Sequence, residues 1–257
     1  MPEKANELIR KTYRPSMTVG KVYARPYGSQ APLAEIGNVL ELTLDHSEQV
    51  VKQQDMTQLG GGTYAEVRRV QEVNLSMKLS DLNVVNLTRA TLGTMQAMEA
   101  GVVQDEEHTA ALGGLVRLEH IAPTEVTVKT GDEAATATPV EMAGNYEVRP
   151  EGIYVLPGAT GIEDGGKLWI GYSYGEQAVI DAITTKAQEL ELSFGGLNEA
   201  EDGRPCVVDV FRVSQSVTKQ LALINDKFGE LDVSGSVLQD PTKTGQGTSK
   251  YYRQTLA

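Results

Sequence analysis

The residues of this chain with types suited to chemistry are three histidines, one cysteine and several acidic clusters. A zinc site needs about four nitrogen or sulfur ligands. His46, His108 and His120 fit neither HxxxH nor HExxH spacing, and Cys206 is the only cysteine. Cys206 lies in the apolar run RPCVVDV, which predicts a buried, inert thiol, and no GxSxG supplies a serine nucleophile. Asp105, Glu106 and Glu107 beside His108 have the ligand types for a cation. NEAEDG at 198–203 matches a calcium loop only in part, because Ala200 falls where an oxygen ligand is required. A glycosidase requires two carboxylates about 5–10 Å apart across a cleft, and no such pair stands out. Gly60, Gly61 and Gly62 are followed by no Gly-Lys-Ser/Thr, so they do not form a phosphate loop. The expectation is a protein that is not an enzyme and carries no cofactor and no metal.

The elements that would position these residues are mostly strands. The chain has 257 residues, 5% of them aromatic, and a net charge of -12. Leu, Val, Ile and Met must therefore fill the core. An acidic chain repels a phosphate backbone, so sequence-specific nucleic-acid binding is not expected. No stretch is long or apolar enough for a membrane helix, and the first 15 residues lack the apolar core of a secretory signal. With one cysteine, no intrachain disulfide forms and a reducing compartment suits the chain. The ends are basic: Lys4, Arg10, Lys11, Arg14, Lys21 and Arg25 face only Glu3 and Glu7, and Lys243, Lys250 and Arg253 have no acidic neighbour over 241–257. They read as polar arms, 1–35 and 241–257, either solvated or pairing with the acidic body of another copy.

Between the arms, period-two patterns predict strands at 38–46, 66–79, 115–120, 124–130, 145–149, 152–156, 167–174, 188–194, 205–213 and 230–240. Residues 54–66 read as a long flexible link, so the first two strands form a hairpin with an extended tip. Residues 81–92 read as one helix, with Ser80 as cap, Asp81 in the first turn, Arg89 in the last and Gly93 after it. Residues 97–114 read as a loop, Pro150-Glu151-Gly152 as a hairpin turn, and 217–229 as a short helix or an irregular edge. The simplest organisation is a core of 36–109 and 177–240, interrupted by a small inserted β domain over 110–176.

Several strands pair an apolar face with a small or acidic one: Glu41, Thr43 and Asp45; Glu72, Asn74 and Ser76; Glu189, Glu191 and Ser193; Glu230 and Asp232. Such a face is either the solvent side of an antiparallel sheet or the lining of a channel closed by several copies. The stretches IGNVLELTLDHSEQVVKQQD with its long loop, VNLSMKLSDLNVVNLTRATLG, ELELSFGGLN and LALINDKFGELDVSGSVLQD decide for a resemblance. In order and spacing this chain resembles the major tail tube protein of long-tailed bacteriophages. The resemblance implies an antiparallel β-sandwich or half-barrel with one flanking α-helix, hexameric rings stacked into a hollow tube, and a virion tail assembled in the host cytoplasm. It implies partners too: other copies of the chain, the tape measure, terminator and tail-tip proteins, and DNA passing through the lumen without specific binding, with no membrane involved. The acidic faces above would then line the lumen. Gln54, Asp55, Gly60, Gly61, Gly62, Tyr64, Arg10, Lys11, Arg14, Lys250 and Arg253 would stack rings. The inserted domain would lie outside, which favours a tail without a contractile sheath. The competing reading is a two-domain β-rich module that binds glycan or protein, with Trp169, Tyr172 and Tyr174 as contacts.

Overall fold

The structure, a computed structural model, describes residues 14–257. Strands β1 (Thr18–Pro26), β2 (Ala34–Gly37), β3 (Val39–Gln54) and β4 (Thr63–Leu79) lead into helix α1 (Val84–Ala90). Next come β5 (Thr94–Met98), β6 (Gly101–Thr109), β7 (Leu115–Arg117), β8 (Thr124–Thr130), β9 (Thr138–Val140), β10 (Tyr146–Arg149), β11 (Gly152–Val155) and β12 (Lys167–Tyr174). The chain ends with β13 (Gln177–Asp181), β14 (Glu189–Asn198), β15 (Arg204–Gln215), β16 (Leu231–Val237) and β17 (Tyr252–Leu256). The fold is mainly β with antiparallel pairing, and α1 is its one α-helix among the described residues, as the sequence predicts.

Two compact units divide the chain: Ile180–Ala257 with the segment ending at Thr94, and Met95–Val179. The second begins earlier than the 110–176 insertion expected, because GVVQDEEHT is strand β6 and not a loop. A bulge hides it from the alternation pattern. Ile170 pairs with Glu106 and Tyr172 with Val103, and Asp105 takes a left-handed φ of 55°.

In the larger unit the sheet runs β2-β1-β14-β15-β16-β4-β3, with β17 also paired to β15. Its two edge strands, β2 and β3, are consecutive in the chain and separated by Asn38 alone. The two Cα steps from Gly37 to Val39 span at most about 7 Å, so the edges meet there and the sheet curls back on itself. Val22, Leu75, Leu192, Val213, Leu231 and Val233 fill the interior. The apolar alternation of β4 from Val73, β14 and β16 supplies most of them, as the sequence predicts.

α1 covers this apolar face through Leu87 and Ala90. It is shorter than expected, and its cap is Asn83, whose Oδ1 accepts from Asn86 N–H at 2.9 Å. Ser80 and Asp81 have another role. Ser80 N–H donates to Asn38 O at 3.0 Å and Asp81 Oδ2 accepts from Asn38 N–H at 2.8 Å. Ser80 Oγ also accepts from Asn38 Nδ2 at 2.9 Å, so both residues fasten the junction where the sheet closes. Asn86 Nδ2 adds a bond to Ile36 O at 2.8 Å.

Among the described residues, parts of the expected arms are sheet: β1 and the start of β2 in the first, β17 in the second. β1 pairs with β2 on one side and β14 on the other, burying Val22 and Ala24. β17 pairs with β15 from Cys206↔Leu256 to Val210↔Tyr252. The sequence hides these strands because each carries prolines or charges and buries few side chains. Residues 217–229 form no helix or strand.

The smaller unit has its own core, with Val116, Leu118, Val128, Ile153, Leu168 and Ile170 among its buried residues. Sheets β10-β11-β7 and β6-β12-β8-β9 both contribute, so it is a small sandwich. Gly152, at φ 151°, ends the predicted turn where an added Cβ would fall 2.2 Å from Val116 O.

Candidate functional site

The opposite face of the curled sheet is polar. Cross-strand partners share a face, and the register strings Asp45, Asn74, Ser236, Ser214 and Glu189 into one row across β3, β4, β16, β15 and β14. Thr43, Ser76 and Ser234 form a second row, and Glu41, Lys78 and Asp232 a third. Glu191 and Ser193 continue the face toward β1, opposite Arg25 and Tyr23. The sheet thus brings together the predicted polar residues of four strands. Glu230 stands just before β16 and pairs with Lys78 at 3.2 Å. Glu72 lies farther out, opposite Ser47, beyond the part of β4 that β16 covers. Leu40, expected inside, is bulged out and about half exposed, because Val39 pairs with Leu79 and Glu41 with Lys78.

The face is less acidic than the sequence suggests. Glu191 accepts from Arg25 at 2.7 Å, and Glu189 accepts two bonds from Arg212 at 2.7 and 2.8 Å. Arg212 holds the Glu189 carboxyl below its ordinary range despite partial burial. Ser193 Oγ donates to Asp209 at 2.7 Å. Lys78, from the wet face of β4, is thus part of the site, as are Arg25, Arg212 and Asp209, which were missed. Their signal was the same alternation, visible in KVYARP and FRVSQ. A groove of about 420 Å³ on this face is lined by Glu41, Thr43, Ser76, Lys78, Lys219 and Asp232, among others.

Beyond Ser47 and Glu72 the β3–β4 hairpin leaves the sheet as a two-stranded ribbon, paired from Glu48↔Val70 to Gln54↔Thr63. All of β4 before Val73 is exposed. The expected long link is a short built turn. Asp55 Oδ1 accepts from Thr57 N–H and Oγ1–H at 2.8 and 2.6 Å, and Asp55 N–H donates to Gly62 O. These bonds, that from the Thr57 hydroxyl first, hold the Asp55 carboxyl below its usual range. Gly60, Gly61 and Gly62 have φ of 94°, 61° and 151°, which only glycine adopts freely. Met56, Leu59, Tyr64, Val51 and Val67 expose their side chains along the ribbon and its tip.

The remaining stacking candidates are scattered. Arg14 is not a free arm residue: it pairs with Glu201 at 2.7 Å and donates to Ala257 O. Arg253 lies on β17 opposite Asp209, and Lys250 is exposed just before it. Arg10 and Lys11 lie outside the described residues.

The chemistry-bearing residues of the smaller unit are tied to one another. Glu106 Oε2 accepts from Tyr172 OH at 2.6 Å, its Oε1 contacts His108 Nε2 at 2.7 Å, and Tyr172 OH meets His120 Nδ1 at 3.0 Å. Burial pushes the Glu106 carboxyl up, but the bonds from Tyr172 and His108 outweigh it and hold it low. Burial and the Glu106 bond raise the Tyr172 phenol. Asp105 pairs with Lys129 and Glu107 with Lys167, each at 2.8 Å. Tyr172 is buried and Tyr174 stacks on His120 at 3.6 Å, so neither is an exposed contact, and Trp169 Nε1–H donates to Gly131 O at 2.9 Å.

Asn198 of NEAEDG pins the start of β1, accepting from Met17 N–H and donating to Pro15 O. Among the described residues no group of His, Cys, Asp and Glu is arranged to hold a metal ion. Nor is any helix among them long and apolar enough to cross a membrane.

These features define a mainly-β protein built on a curled antiparallel sheet with one polar and one apolar face. A family model described as "Protein of unknown function UCP028589" matches residues 15–255, and the chain belongs to that family. No curated protein matches it.

Proposed function

We propose that the chain is a structural virion protein, the subunit of a long-tailed bacteriophage tail tube. It assembles into hexameric rings that stack head to tail around a DNA-conducting lumen. The observation that carries this reading is the polar row from Asp45 to Glu189, continuous across five strands of a curled sheet whose other face α1 covers. Sheets of this kind joined edge to edge by neighbouring copies make a barrel with a wet interior. The basic side chains Arg25, Lys78 and Arg212 are each tied to a carboxylate. Tying those three leaves DNA fewer cations to stick to on this face while the acidic chain repels it.

The ribbon supports the assembly half of the proposal. An exposed two-stranded hairpin carrying Val51, Val67 and Leu59 is marginal alone and gains by packing on a neighbour. The test is negative-stain electron microscopy of the purified chain over a concentration series. Hollow tubes with a regular axial repeat are expected. A monomer at every concentration counts against the proposal and brings glycan- and protein-binding assays on the full chain to the front.

A further inference from the structure

Arg89, in the last turn of α1, is the one arginine among the described residues whose charge burial disfavours without any offsetting partner. Among the described residues it has no ion pair and no hydrogen-bond acceptor. A half-buried guanidinium without an anion is costly, since desolvation is not offset by attraction. Beside it stands a second unsatisfied donor. Gln215 is 5% exposed, and its Nε2 is buried with no partner. Arg89 and Gln215 line the same recess of about 50 Å³ between the end of α1 and strands β14 and β15, with Leu190 beneath them. The hydroxyls at its rim are already used: Thr88 donates to Val84 O and Thr185 to Leu92 O. The free donors there are the guanidinium, the buried amide of Gln215 and the exposed amide of Gln188.

We propose that this recess is a carboxylate-binding site, with Arg89 as the charge partner and Gln215 Nε2 as the second donor. Charge and size set the class. One guanidinium balances one negative charge, whereas a phosphate dianion would bring an uncompensated charge into a partly apolar recess. The planar fork of arginine matches a carboxylate with two parallel bonds. A volume near 50 Å³ holds a group of a few heavy atoms, not a sugar or a nucleotide. The carboxylate comes either from a small acid in solution or from an Asp or Glu of a second copy. The site does not depend on the tail tube reading.

The test uses the full chain with formate as probe and chloride as control at equal ionic strength. Formate should raise the melting temperature saturably, and isothermal titration should show one site. Arg89→Met keeps the apolar stem and should weaken formate binding roughly tenfold or more. Arg89→Lys should recover part of it. If Arg89→Met does not fold, Gln215→Leu carries the test, since it removes the second donor and no other bond. No formate-specific stabilisation of the parent chain overturns the proposal, as does an equal response in both variants.

Sedimentation velocity separates the sources. If a second copy supplies the carboxylate, Arg89→Met lowers self-association and millimolar formate competes with it. If a free acid supplies it, association is unchanged while formate binding is lost. Because formate binding is read on the monomer, failure of the chain to form tubes leaves this result intact.

Discussion

Strand β4 is two strands in one. From Val73 to Leu79 it alternates buried and half-buried residues between β3 and β16, while from Thr63 to Glu72 the same ladder with β3 continues and every residue is exposed. The backbone pairing is alike in both halves. What changes is the third strand, which reaches β4 only at Asn74. Pairing by itself does not bury a strand. The base belongs to the core, and the ribbon is a surface held out from it.

The largest effect that can break this contrast is core truncation. Leu75→Ala should cost about 2–5 kcal/mol, because a buried leucine leaves a cavity. Val67→Ala on the ribbon should leave monomer stability unchanged by chemical denaturation, yet reduce assembly. Equal losses of stability would mean that the ribbon packs on the body of its own chain.

Next comes an acid-rich strand that folds its carboxylate inward. Glu106→Gln should destabilise the 95–179 unit by about 1 kcal/mol through the charged hydrogen bonds it weakens. The folded carboxyl lies below its ordinary value of 4.5, so its contribution is present above that pH and fades as the pH falls below it. Melts between pH 6 and pH 3 should show this acid-side loss in the parent chain and less of it in the variant. On the ribbon, Glu66→Gln should keep the acid-side loss of the parent chain unchanged. Asn83→Ala should cost about 1 kcal/mol by removing the cap of α1.

The smallest effects concern ion pairs. Glu191→Gln at the base should lower stability slightly, and Glu66→Gln, whose partner Arg68 is mostly exposed, should be silent at physiological salt. Urea midpoints measured side by side would resolve the pair. The same geometry changes how the polar face should be charged in experiments. Glu189 and Glu191 hold Arg212 and Arg25, so lysines there would disturb folding as well as the charge of the polar face. Glu41, Asp45 and Asp232 are the cleaner positions.

Burial explains what the sequence made legible. β14, β16 and the base of β4 each put one face into the core, and their alternation was plain. The ribbon segments have no buried face, so nothing in Ser47–Gln54 or Thr63–Glu66 distinguishes strand from link. β6 was lost to the bulge at Asp105, and β1 to its lysine, arginine and proline. The helix was found but its cap misplaced, because Ser80 and Asn83 both fit the rule and tertiary contacts with Asn38 took Ser80. The polar face was half legible: the acids were found, but not the arginines that answer them from other strands. The recess at Arg89 had no signal, since it depends on where Gln215 sits across the fold.

The closure through Asn38 has a consequence for how the chain comes into being. β1 can pair with β2 at once, but its other side has no partner until residues 189–198 of β14 have been made. At ordinary synthesis rates that delay is on the order of ten seconds. The β3–β4 hairpin, being local, forms first, and β2 waits beside it at the other edge. Ring closure of the sheet is then a late event in the life of each molecule, with high contact order and a slow final step. A nascent chain passes through a stage with both lips of its sheet open, and strand β16, which joins β15 to β4, is what seals it.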